Sequence, residues 1–187
     1  MKDESMTALA ARARAFAVEA HGAQTYGGAP YVMHLDAVAA ILVEFGFGGG
    51  EIAQIAYLHD TVEDCEGVDA AALAAEGFSE AVIQAVLFCT DAEGPNRKSR
   101  KSLTYARWRA SIDAWVADPD AEAWVPDAVR VKLADRLANV RQCVVGGNQG
   151  LFDMYAAERA SFREALAAEG IAEAMWAAYD GLLAARP

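Results

Sequence analysis

The run YLHDTVED, residues 57–64, places one imidazole and three carboxylates close together: His59, Asp60, Glu63 and Asp64. Asp60 and Glu63 are spaced i,i+3, while His59 and Glu63, like Asp60 and Asp64, are spaced i,i+4, which sets them on adjacent turns of one helix side. Without a cation the three carboxylates repel one another in a segment otherwise apolar enough to pack. A bound metal resolves that conflict, since adjacent His and Asp side chains can both reach an ion lying between their directions. Taken alone, the His-Asp dipeptide also describes a solvated helix end. A second acidic position, Asp135 in KLADRLAN, sits among Val131, Leu133, Ala134, Leu137, Ala138 and Val140. A carboxylate there needs a partner: Lys132 or Arg136 nearby, or a shared metal, with Asn139 one turn later on the same side. The chain has three histidines, at positions 21, 34 and 59, so a site needing two has few combinations.

The elements that must position these groups read as helices. Residues 7–21 carry strong helix formers behind Thr7 as a cap, and the segment GAQTYGGAPYVMH is a loop or short irregular hairpin. His34 lies where that loop re-enters order. Residues 35–45 have apolar spacing for a helix face, and residues 51–64 form the next helix, ending in charge. After Gly67 come a short helix, a Gly-Phe turn and a helix capped by Ser79; then a polar stretch, a helix over residues 102–116 with three aromatics, and a strongly helical segment over 129–144. GGNQG breaks the pattern, and helices over 152–168 and 171–184 complete the bundle. The class is all-α, with one domain over residues 1–187.

A net charge of −11 argues against a nucleic-acid polymer or an anionic membrane as partner, and leaves a small phosphorylated ligand held at a local positive site. No stretch is long and apolar enough for a membrane span. The N-terminus does not read as a secretion signal, so the expected compartment is the cytoplasm. Cys65, Cys89 and Cys143 are odd in number and lack CxxC spacing, which favours buried small apolar residues over disulfides or a thiolate zinc site.

In this order, AHGAQ, GGAPYVMH, LHDTVED, TDAEGPNRKSRK and VKLADRLANVR resemble the hydrolase domain of RelA/SpoT proteins and the single-domain small alarmone hydrolases. The motifs run over residues 20–141. The resemblance implies an HD-domain helical bundle with His34, His59, Asp60 and Asp135 as metal ligands. Ligand type alone suits Mn, Fe, Co, Ni or Zn; Mn²⁺ follows from the resemblance, as do Glu63 and Asp64 as the pair that positions water and transfers its proton. His21 reads as packing or holding the loop by hydrogen bonds in preference to ligation.

The implied reaction removes the 3′-diphosphate of (p)ppGpp as pyrophosphate, and the small-molecule nucleotide is the expected partner. Arg100 and Lys101 match the family's basic pair for phosphate, whereas Arg97 and Lys98 are equally a solvated basic face. Asn139 matches a residue near the substrate sugar or phosphate, and Tyr155 is a weaker candidate that suits the core as well. This chain departs from many relatives in carrying Thr25 and Tyr26 where they have a basic pair, and Leu35 where Pro is common after the histidine. Tyr26 then stands in for an Arg that could stack on a purine, which opens an adenine alarmone, (p)ppApp, beside the guanine one. No synthetase region is recognisable, so degradation alone is expected. Two other readings are an HD-type nucleotidase or phosphohydrolase on other nucleotides, and a catalytically silent nucleotide-binding HD protein.

Overall fold

The computed structural model describes residues 2–185, with side chains from residue 8 onward. Among these the secondary structure is α-helical apart from one short hairpin, and the chain divides into two compact units, residues 1–91 and 92–187.

The first unit runs α1 (Lys2–His21), β1 (Thr25–Tyr26), β2 (Ala29–Pro30), α2 (Val32–Glu44), α3 (Glu51–Leu58), α4 (Thr61–Asp64), α5 (Ala70–Ala75) and α6 (Glu80–Cys89). Helix α1 begins at Lys2, ahead of the expected Thr7 cap, because Lys2, Glu4 and Met6 are themselves good helix formers. Helix α3 is the hub. It packs on α1, α2 and α6, burying Ile52, Ile55, Ala56 and Leu58 against Leu35, Val38, Ile41 and Leu42 of α2 and the small residues Ala13 and Ala17 of α1. The helix starts at 70 and 80 follow their caps: Asp69 accepts from the Ala72 amide and Ser79 from the Val82 amide. The hairpin pairs Tyr26 with Ala29 and Thr25 with Pro30. Its two turn residues, Gly27 and Gly28, have φ of 58° and 84°, the left-handed pair that a two-residue hairpin turn requires.

The helix expected over 51–64 is interrupted. Leu58 ends α3, Asp60 adopts φ −103°, ψ −6°, and α4 restarts at Thr61. Side chains take part in the break: the Thr61 hydroxyl donates to the Leu58 carbonyl at 2.7 Å, and His59 bonds the Ala56 carbonyl at 2.8 Å. Such local side-chain bonds compete with regular helix continuation.

The second unit consists of α7 (Arg97–Ala117), α8 (Val125–Gly146), α9 (Gln149–Leu166) and α10 (Glu173–Ala184). Helix α7 starts before residue 102 because the Asn96 side chain accepts from the Ser99 amide and caps it. Helix α8 contacts α7, α9 and α10 and is buried continuously from Val131 to Ala138. Its core partners are aromatic: Trp108, Trp176 and Tyr179 pack edge-on or tilted around Phe162. Gly147, at φ 64°, ends α8, and Asn148 caps α9. All three cysteines are free and buried, as expected.

Arg14 grips Asp36 through two bonds of 2.8 and 2.7 Å, tying α1 to α2. The Arg14 hydrogen bond, against the opposing effect of partial burial, holds the Asp36 carboxyl below its ordinary value. A depressed folded-state value means stability present above the ordinary carboxylate range and lost as pH falls through the depressed one. Asp36→Asn is therefore expected to lower the urea midpoint at neutral pH, with the gap to the natural protein closing in acid. A gap independent of pH would refute this linkage.

Candidate metal centre

At the break between α3 and α4, one bond decides what His59 can do. A backbone carbonyl only accepts, so the His59 contact to Ala56 places a ring hydrogen on Nδ1, and in the neutral ring Nε2 is then the ligand atom. His59 is fully buried, and that Nε2 lies 3.1 Å from Oδ2 of Asp60. His34 Nε2, also buried, is 3.6 Å from the same oxygen, and each histidine offers a ring nitrogen within 4.8 Å of the other's. Two ring nitrogens and a carboxylate oxygen gathered at these distances can share one cation. The donor set, two imidazole nitrogens and a carboxylate oxygen, suits a divalent cation of the borderline type. The first unit thus holds a His/His/Asp cluster suitable for a divalent metal.

The hairpin supplies the wall of this cluster. Tyr26 stacks on the His34 ring with centroids 4.5 Å apart, so it adjoins a metal-type ligand directly. Tyr31, where the hairpin enters α2, presents its hydroxyl to Oδ2 of Asp60 at 2.8 Å and to Oδ2 of Asp64 at 2.7 Å. Burial and the two carboxylates push the Tyr31 phenol well above its ordinary value, so it remains protonated. Its ring stacks on His21 at 4.0 Å, nearly parallel at 9°. His21 Nδ1 bonds the Gln24 side-chain oxygen at 2.8 Å, and the Gln24 amide donates to the Asp64 carbonyl at 2.7 Å. His21 holds the loop in place, as its sequence position implied. Glu63 turns elsewhere: Oε2 accepts from the Asp91 amide at 2.9 Å, at the end of the segment following α6.

In the second unit, Asp135 is buried on α8 and meets both of its sequence neighbours. Lys132 Nζ is 3.3 Å from Oδ2, and the Asn139 amide donates to Oδ1 at 2.7 Å. Arg136 is turned away to Glu158 at 3.1 Å, and its guanidinium lies over Tyr155 and Phe162, 4.6 and 4.3 Å from the ring centroids. Tyr155 is thereby packed, and burial raises its phenol to about 12. Arg97 makes two bonds to the same Glu158. Arg100 and Lys101 occupy the first turns of α7 and are half-buried, whereas Arg97 and Lys98 are exposed.

A family model described as HD domain matches residues 11–159. The chain belongs to the HD domain family. It is 34% identical over 128 residues to the guanosine-3′,5′-bis(diphosphate) 3′-pyrophosphohydrolase of Vibrio cholerae serotype O1, an alignment covering 66% of this chain and 16% of that relative. A solved structure of a metazoan ortholog of SpoT, described as hydrolysing ppGpp and acting in starvation responses, superposes with a TM-score of 0.75 at 24% identity over 96% of each chain. That likeness establishes a shared fold. Together, the family and the His/His/Asp cluster support a metal-dependent phosphohydrolase. No described helix is long and apolar enough to cross a membrane.

Sequence reasoning passed over Tyr31 and Gln24. Tyr31 had a detectable signal, since it lies one turn before His34 in PYVMH; the Gln24 contact joins residues forty positions apart and has none. Ligation to the folded state predicts a measurable stabilisation. Mn²⁺ at a hundredfold over its dissociation constant is expected to add about 2.7 kcal/mol, read as a rise in melting temperature that EDTA reverses and His59→Gln abolishes. An unchanged melting temperature across a Mn²⁺ titration would count against the site.

Proposed function

We propose that this HD-domain chain, acting as one hydrolase domain over residues 1–187, removes the 3′-diphosphate of an alarmone nucleotide, (p)ppGpp or (p)ppApp. The products are pyrophosphate and the nucleoside di- or triphosphate. The observation that carries the reading is the convergence of His34 Nε2 and His59 Nε2 on one carboxylate oxygen of Asp60; the name of the curated relative supports the choice of substrate. In this reading Asp135 is the fourth ligand and Mn²⁺ the metal, in keeping with a nitrogen and oxygen donor set that has no thiolate. When bound, the ion supplies Lewis-acid activation of water and charge neutralisation at the phosphate.

The protein's own groups do the rest. Water attacks the phosphorus attached to the ribose 3′ oxygen, the bond between that oxygen and phosphorus breaks, and the 3′ oxygen leaves with a proton. Glu63 and Asp64 orient the water and take up its proton. Asp64 is within reach of Asp60 through Tyr31, while Glu63 is also bonded to the Asp91 amide. Arg100 and Lys101 bind phosphate, Asn139 serves the sugar or phosphate, Tyr155 is a weaker substrate contact, and Tyr26 offers an aromatic face for the purine.

Assay of ppGpp, ppApp, deoxynucleoside monophosphates and a generic phosphodiester with Mn²⁺ tests the reading. Pyrophosphate from ppGpp or ppApp is expected. Orthophosphate from simple nucleotides would replace it with a nucleotidase, and no turnover with no metal bound would mark a silent nucleotide-binding protein. The Glu63→Gln, Asp64→Asn double variant is expected to lose turnover and keep metal binding; full activity in it would remove both residues from the proton-transfer role.

A further inference from the structure

We infer that Tyr31 is a positioning residue that sets the Asp64 carboxylate against the Asp60 carboxylate, so that ligand and proton acceptor form one rigid unit. The inference rests on the reading above for the roles of Asp60 and Asp64, and on geometry for its content. The Tyr31 hydroxyl lies within hydrogen-bond distance of both carboxylates, at 2.8 and 2.7 Å, its one hydrogen shared between them. It meets Asp60 at Oδ2, the oxygen that also faces His34 and His59, so it fixes the orientation of that oxygen toward the cluster.

The hydroxyl is itself held. The ring is stacked on His21 on one side and meets Tyr26 and His34 edge-on, at 5.9 Å each. Asp64 is held twice from this same base: its side chain by Tyr31 and its backbone carbonyl by Gln24, which His21 orients. Two ties from one hairpin base to one exposed residue at the end of a four-residue helix, one to its carboxylate and one to its backbone, exceed what packing of α4 alone demands. Groups that hold a ligating carboxylate by hydrogen bond set its direction and basicity, and their loss weakens metal affinity or activity by about 10–100-fold.

Tyr31→Phe removes the hydroxyl and keeps the stacked ring, so the fold should survive, as circular dichroism and thermal melting of the metal-free protein can verify. The expected result is Mn²⁺ affinity, measured by calorimetry, weakened by about 10–100-fold, together with a fall in kcat at saturating Mn²⁺ and little change in KM. In a double-variant cycle, Tyr31→Phe is expected to add little to the loss already caused by Asp64→Asn, since the two act as a unit. Unchanged Mn²⁺ affinity and kcat in Tyr31→Phe, or losses that multiply independently with Asp64→Asn, would overturn the inference. A natural protein that binds Mn²⁺ and hydrolyses no alarmone overturns the substrate reading instead, and the comparison of Mn²⁺ affinities still decides the role of Tyr31. Should Tyr31→Phe melt early, Gln24→Ala cuts the second tie outside the aromatic stack; retention of full kcat there would overturn the claim that the hairpin base positions Asp64.

Discussion

The bond from His59 Nδ1 to the Ala56 carbonyl is the constraint on which the site depends. It commits Nδ1 to the backbone and turns Nε2, fully buried, toward a carboxylate oxygen 3.1 Å away. Polar groups are costly to bury. The surrounding fold keeps them there because α3 is the hub of its unit, with Leu58 and Ile55 packed on neighbouring helices, so the residues that follow Leu58 have little freedom to swing away. The arrangement is preorganised for a cation by the same packing that makes the core.

The interruption after Leu58 is what lets neighbouring residues serve different ends. In an unbroken helix, Asp60 and Asp64 would project from one side at successive turns. With Asp60 in the bridge region of backbone space, at φ −103° and ψ −6°, its carboxylate faces the histidine nitrogens while α4 carries Asp64 to the Tyr31 hydroxyl. Bridge conformations are sparsely populated and recur at active sites. The hairpin completes the geometry, since its tight Gly27-Gly28 turn brings Tyr26 onto His34 and starts α2 where Tyr31 can reach both carboxylates.

The helical class, the cap at Ser79 and the break at GGNQG were legible because they depend on local chemistry: apolar spacing, capping oxygens and glycine. His34, His59 and Asp60 were singled out by residue type and motif order, and the structure brings those three together. What escaped was set by side-chain bonds rather than by periodicity. The break at residue 59 follows from the Thr61 hydroxyl and the His59 ring capturing carbonyls, which an apolar pattern running through residues 51–64 does not reveal. The early start of α7 followed from Asn96, a capping residue whose signal was masked by the Pro95 and basic residues around it. Tyr31 escaped because a tyrosine in a turn is more often packing than a bridge between two acids.

Asp135 poses the remaining physical question, since buried charge inside a helix is a weak source of stability. Lys132 and Asn139 engage one oxygen each, which accounts for the alternatives that its setting allowed from sequence. These two contacts fix the orientation of the Asp135 carboxylate. Arg136, next in the chain, is neutralised separately by Glu158 and covered by Tyr155 and Phe162. Adjacent residues of a helix do not face each other, so Asp135 and Arg136 find separate partners. Asp135 is bonded to Lys132 and Asn139, and Arg136 to Glu158, so two polar networks run along one buried helix.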